Sequence, residues 1–146
     1  MGNFMLWGPL LALLGIATYT DLKWRIIPDN LALGGLTYYL LLRLFYADQP
    51  YVYYLLGILA GSGVLYIFAV IVPGAFGGGD IKLMAVVGAA LGWELSIIFL
   101  ILTLLGPCLY TTAYVSLSKM GRKGTIPLAP FILLAGIMIL SLKLTL

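Results

Sequence analysis

Five acidic residues are the whole supply of carboxylates in this 146-residue chain, and histidine is absent. Without an imidazole, Ser-His-Asp and Cys-His catalysis and histidine metal sites are excluded. A single cysteine, Cys108, leaves no intramolecular disulfide and no paired-cysteine zinc site. Beside Pro107 in an apolar run, it reads as a small apolar residue. Carboxylates, hydroxyls and lysines are what remain for chemistry. One carboxylate stands out in Gly77-Gly78-Gly79-Asp80-Ile81-Lys82-Leu83, behind three glycines and ahead of an apolar stretch. Three glycines remove side-chain bulk, so another chain can approach the backbone closely. An ionisable group at the edge of a membrane-like segment is costly and marks a functional site by default. The plainer reading makes Asp80 a cap for the helix that follows.

A second carboxylate, Asp21, opens the most highly charged segment, Asp21-Leu22-Lys23-Trp24-Arg25-Ile26-Ile27-Pro28-Asp29-Asn30. Asp29 or Asn30 suits the cap of a helix entered at Pro28. Asp21 has no such role, because it follows a helix whose C-terminal dipole disfavours negative charge. Two carboxyls held close in a low-dielectric site do not both ionise easily. One keeps a proton, the other acts as base, and the pair activates water. The dipoles alone put the shared proton on Asp21 and leave Asp80, at a helix N-terminus, ionised. A magnesium ion with a phosphate substrate is the other use of paired carboxylates, but such sites usually gather more ligands. The reading adopted has no metal and no cofactor.

The elements that must position these groups are apolar helices. The chain is 63% hydrophobic and 9% charged, with mean hydropathy +1.13. Residues 1–20, 49–79 and 95–118 carry no charge, and a spanning helix needs about 20 apolar residues. The expectation is an all-α integral membrane protein, a bundle of six transmembrane helices forming one domain over residues 1–146. The spans are placed at about Phe4–Thr20, Leu31–Tyr46, Tyr51–Val72, from near Asp80 to Trp93, Leu95–Ser118 and Ile126–Leu142. The uncharged part of the fourth, 83–93, is only about 16 Å long, so that helix must begin near Asp80 or earlier. Pro73-Gly74 ends the third span, Gly92-Trp93-Glu94 reads as a turn, and Gly106-Pro107 as a kink. Gly57 and Gly61 have the spacing that lets helices pack closely. Tyr38, Tyr39, Tyr46, Tyr51, Tyr53 and Tyr54 read as an interfacial belt, and Arg43 as a side chain reaching to headgroups.

Six spans put the 21–30, 73–82 and 119–125 loops on one side. They hold Lys23, Arg25, Lys82, Lys119, Arg122 and Lys123, against Arg43 and Lys143 on the other side. The basic side is cytoplasmic. Asp21 and Asp80 then share the cytoplasmic boundary of a cell membrane, the active site faces the cytoplasm, and both termini lie outside. Net charge of +3 is loop charge and points to no nucleic acid. The N-terminus has no basic region of a cleaved signal, so the first apolar run stays as a helix.

These residues resemble the type IV prepilin peptidases, membrane aspartic proteases of the GxGD class. Asp21 ahead of Arg25-Ile26-Ile27-Pro28-Asp29 is similar to the first motif of that family. Gly77-Gly78-Gly79-Asp80-Ile81-Lys82-Leu83 is similar to the second, and Ile126-Pro127-Leu128-Ala129-Pro130-Phe131 to a proline-rich motif opening the last helix. The resemblance implies that Asp21 and Asp80 are the catalytic pair and that Gly77, Gly78 and Gly79 let the substrate backbone approach. It implies a prepilin-like substrate (a pilin, pseudopilin or archaellin precursor) whose short basic leader is removed at the lipid bilayer. Larger members carry an N-terminal part with paired cysteines associated with N-methylation. This chain resembles the short, peptidase-only form, which puts methyltransferase activity in doubt. A rival from another class is a small transporter or assembly subunit that uses the aspartates as ion or proton sites.

Overall fold

The computed structural model describes residues 2–72, 76–117 and 128–145. Among these residues the chain is all-helical, in six helices. They are α1 Gly2–Trp24, α2 Asp29–Phe45, α3 Tyr51–Ile71, α4 Gly78–Leu91, α5 Trp93–Leu117 and α6 Ala129–Thr145. Pro73-Gly74, the basic loop 119–124 and Ile126-Pro127 lie outside the described residues. Met5–Trp24 and Tyr51–Ile71 have the length and hydropathy to cross a bilayer, while Trp93–Leu109 and Ala129–Lys143 are shorter apolar stretches.

The first helix does not stop at Thr20, as its apolar run suggests. It continues to Trp24 because Arg25, rather than the charged residues before it, ends it. Arg25 takes a left-handed backbone (φ 53°), and its N–H closes the last turn on the Asp21 carbonyl at 2.9 Å. Asp21 is therefore inside α1. Similarly, Trp93 and Glu94 open α5, and the break before it is Gly92 alone, with φ 82°. The middle of α3 widens into a π-helical turn, Leu59–Gly63, a feature that apolar composition does not signal.

α4 is the axis of the molecule. It packs against α1, α2, α3 and α5, and Leu83, Met84, Val86, Val87, Ala89 and Ala90 are 0% exposed. At 14 residues it is about 21 Å long, too short to face lipid along a bilayer of about 30 Å. Enclosure by its neighbours removes that requirement. Close packing of backbones can hold such a helix. Small residues supply it. A Cβ on Gly57 would strike the Gly88 carbonyl, a Cβ on Gly88 would strike the Gly57 carbonyl, and one on Gly61 would come 2.9 Å from the Met84 carbonyl. The Gly57/Gly61 spacing thus faces α4, backbone against backbone.

Both ends of α4 are tied. At its N-terminal end lie the ends of α1 and α2, through Gly79 against Ile27 and Lys82 against Asp29. At its C-terminal end Arg43 turns inward. This corrects the expectation of a headgroup-seeking side chain. Arg43 is 7% exposed and donates from Nε (3.2 Å) and Nη2 (2.5 Å) to the Ala90 carbonyl. It also lies over the Tyr54 ring at 4.4 Å and near Asp48 at 3.6 Å. The reason is local. The last carbonyls of α4 lack helical partners and carry the negative end of the dipole, and a guanidinium fork can meet them and an aromatic face together. The tyrosine belt is corrected for the same region. Tyr39 and Tyr54 are buried, and Tyr39 donates its hydroxyl to the Leu6 carbonyl at 2.8 Å. Tyr38 and Tyr46 remain exposed.

The seam between α3 and α4 makes a test. Gly88→Ala should destabilise the purified protein by about 1–3 kcal/mol of overpacking, read as a lower melting temperature. Gly34→Ala, where nothing lies within 4 Å of the new Cβ, should leave it equal or slightly higher. Equal melting of both variants would mean the seam is not tight.

Candidate active site

Four helix ends, those of α1, α2, α4 and α6, each bring one piece of the site. The last turn of α1 supplies Asp21, which is 8% exposed. Its Oδ2 accepts the N–H of Ala129, the first residue of α6, at 3.3 Å. The Thr18 hydroxyl, one turn earlier on α1, reaches the carbonyl of the same Ala129 at 3.1 Å. The first turn of α4 supplies Asp80. Ahead of Lys82 and of the uncharged stretch 83–93, it stands at the edge of the apolar part of its helix.

The capping and the chemical readings of Asp80 divide between its two oxygens. Oδ2 accepts the Gly77 N–H at 3.2 Å, the reach of an N3 carboxylate back to the start of its helix. Oδ1 is buried and, among the described residues, has no hydrogen-bond partner. A carboxylate oxygen buried without a donor is costly to charge, and Asp21 lies close enough to act on this carboxyl electrostatically. The helix terminus favours an ionised Asp80, and the burial of its unpartnered oxygen opposes this.

The glycines separate by surroundings. Gly79 is already used within the chain, since a Cβ there would lie 2.7 Å from the Ile27 Cβ. Its lack of a side chain lets the 25–28 loop settle against α4 beside Asp80. Gly77 is the N-cap and donates to Asp80. Gly78 is exposed, with nothing within 4 Å of where a Cβ would stand.

Asp29 is not a side-chain cap. Helix α2 is entered from Pro28 without a side-chain capping bond, and the Asp29 carboxylate meets Lys82 Nζ at 2.6 Å. The pair is about half exposed, at 63% and 45%, so it contributes about 1 kcal/mol or less. It nevertheless links the loop that follows Asp21 to the turn that carries Asp80. Thr18, Ala129 and Ile27 are the parts that sequence reasoning missed. The available signal was Thr18, three residues before Asp21 and hence on the same helical face.

The described residues form an all-helical, apolar bundle with two aspartates near one end, and two of its helices have the length and composition to cross a membrane. This chain belongs to the type IV leader peptidase family, whose model matches residues 9–114. That stretch contains Asp21, the three glycines and Asp80. The chain is 33% identical over 122 residues to the prepilin leader peptidase/N-methyltransferase of Bacillus subtilis (strain 168), covering 84% of this chain and 49% of that protein. It is 33% identical over 140 residues to the protein of the same name from Aeromonas salmonicida (strain A449), covering 89% of this chain and 48% of that one. The chain thus spans about half the length of the curated relatives it matches. No solved structure matches.

Burial of Asp80 has a measurable cost. An ionised Asp80 keeps one oxygen buried without a donor, a cost the unfolded chain does not carry, so stability falls as pH rises through its titration. Asp80→Asn lacks the charge. At pH 8 it should be more stable than the wild type by roughly 1–3 kcal/mol, with the gap closing towards pH 4. A gap that ignores pH, or a less stable variant at pH 8, contradicts the burial argument.

Proposed function

We propose that this chain is an aspartic endopeptidase of the cytoplasmic membrane that removes the basic leader of prepilin-like precursors. In this reading all six helices span the bilayer, both termini lie outside, and Asp21 and Asp80 sit at the cytoplasmic boundary. The observation that carries the chemistry is the buried Oδ1 of Asp80, unpartnered among the described residues and within electrostatic reach of Asp21. The family and the names of its relatives support the substrate class.

The pair works with one proton between them. Asp80, protonated, donates through its free oxygen to the carbonyl oxygen of the scissile peptide. Asp21, ionised and oriented by Ala129, takes a proton from water as the water oxygen attacks the carbonyl carbon. The tetrahedral intermediate then collapses. The peptide C–N bond breaks, and the proton held by Asp21 goes to the leaving amine. The new acid returns a proton to Asp80. The exposed backbone at Gly77 and Gly78 is where an extended substrate can lie against the pair. Gly79 contributes indirectly, by letting Ile27 seat.

The test is cleavage of a prepilin-like substrate by purified variants. Asn retains the size of Asp and can still accept the Gly77 or Ala129 N–H, but it does not exchange a proton near neutral pH. Asp21→Asn and Asp80→Asn should each lose at least about a hundredfold in kcat. Asp29→Asn can still accept from Lys82 and should keep most activity. A folded Asp80→Asn variant with normal turnover would falsify the dyad. A wild-type protein that cuts no such substrate but moves ions would favour the transporter reading.

Topology is tested separately. In a Cys108→Ala background, single cysteines at positions 24, 78 and 122 should all be labelled from the cytoplasmic side. Opposite labelling of 24 and 78 would separate the two aspartates across the membrane.

A further inference from the structure

We propose that Thr18 and the backbone amide of Ala129 form a positioning device for Asp21, a reading that rests on the aspartate chemistry proposed above. α1 grips one residue of α6 from both sides. The Thr18 hydroxyl lies 2.7 Å from the Leu14 carbonyl and 3.1 Å from the Ala129 carbonyl. The Ala129 N–H points to Asp21 Oδ2 at 3.3 Å. All three residues are buried, at 9% for Thr18, 8% for Asp21 and 1% for Ala129. Thr18 and Asp21 are three residues apart, so both project from one face of α1.

The chemistry of each group suits this use. A threonine hydroxyl has one proton, here shared between the carbonyl one turn back and the one across the helix interface. It therefore ties the α6 peptide to a fixed point on α1, and β-branching limits its own rotation. The first N–H groups of a helix have no partner within that helix, so Ala129 can donate to Asp21 without breaking a bond of α6. The result occupies one oxygen of Asp21 and stops the carboxyl from rotating. The other oxygen is left for water. A simple packing contact between α1 and α6 would need neither the hydroxyl nor the amide proton, because the surrounding residues Leu14, Leu128 and Ile132 are already buried and apolar.

Three variants separate positioning from packing, all assayed in the 146-residue chain with a prepilin-like substrate. Thr18→Val keeps the shape and removes the hydroxyl. Thr18→Ser keeps the hydroxyl. Ala129→Pro deletes the N–H at a first helical position, where proline is tolerated. Thr18→Val and Ala129→Pro should each lower kcat by about tenfold, the scale of a small misplacement of a reacting group, with KM unchanged. Thr18→Ser should stay within about twofold of the wild type. The double variant Thr18→Val/Ala129→Pro should be little worse than the poorer single, since both act through one carboxyl. Wild-type kcat in both single variants overturns the proposal, as does a loss in Thr18→Ser equal to that in Thr18→Val. If Thr18→Val does not fold, Ala129→Pro alone decides. Failure of the aspartate reading is distinguishable, because there Asp21→Asn itself keeps turnover.

Discussion

A carboxyl oxygen buried without a partner is the constraint on which this structure turns. Leaving Asp80 Oδ1 unsatisfied costs about 1–3 kcal/mol, and the chain must hold it there against relaxation. Exposure would relieve the cost, so the helix carrying it has to be fixed at both ends. Arg43 ties the far end of α4 through the Ala90 carbonyl. Along the middle, Gly57 and Gly88 bring two backbones into direct contact. At the near end, Gly79 admits Ile27, and Lys82 meets Asp29. Only the last of these is a surface interaction of small value. The others are buried contacts that cannot shift without opening the bundle.

Asp21 is held by a different principle. Asp80 hangs on its own helix through Gly77, whereas Asp21 is held across an interface, by the N-terminus of α6. The two carboxyls therefore answer to different elements. One is set by the local geometry of a glycine turn, the other by the docking of α6 on α1. Movement of α6 relative to α1 would alter Asp21 and leave Asp80 unchanged. That division gives Asp21 and Asp80 two distinct environments, as a pair sharing one proton needs.

Much of this was legible in the sequence because it depends on local pattern. Uncharged runs gave the helices, Gly77 to Asp80 gave the turn, and Gly57 with Gly61 gave a close-packing face that does meet α4. Asp80 at the start of a helix followed from the shortness of the uncharged stretch after it. The missed features depend on neighbours distant in sequence. Arg43 reads as a lipid-facing cation until the carbonyl end of α4 is placed beside it. Tyr39 and Tyr54 read as belt residues until α1 and Arg43 cover them. Asp29 reads as a cap until Lys82, 53 residues on, takes its carboxylate. Dipoles at helix ends are visible in a sequence, whereas the burial of Asp80 Oδ1 is not. The left-handed Arg25 that lets α1 carry Asp21 within it had no glycine to announce it.

The most direct measurement of the shared-proton pair is the infrared carbonyl band of a protonated carboxyl at pH 5, compared between the wild type and the two Asp→Asn variants. The account predicts one such band assignable to the pair, absent in Asp80→Asn and retained in Asp21→Asn, where burial of Asp80 persists. A band that disappears only in Asp21→Asn, or no protonated carboxyl from the pair at pH 5, would contradict it.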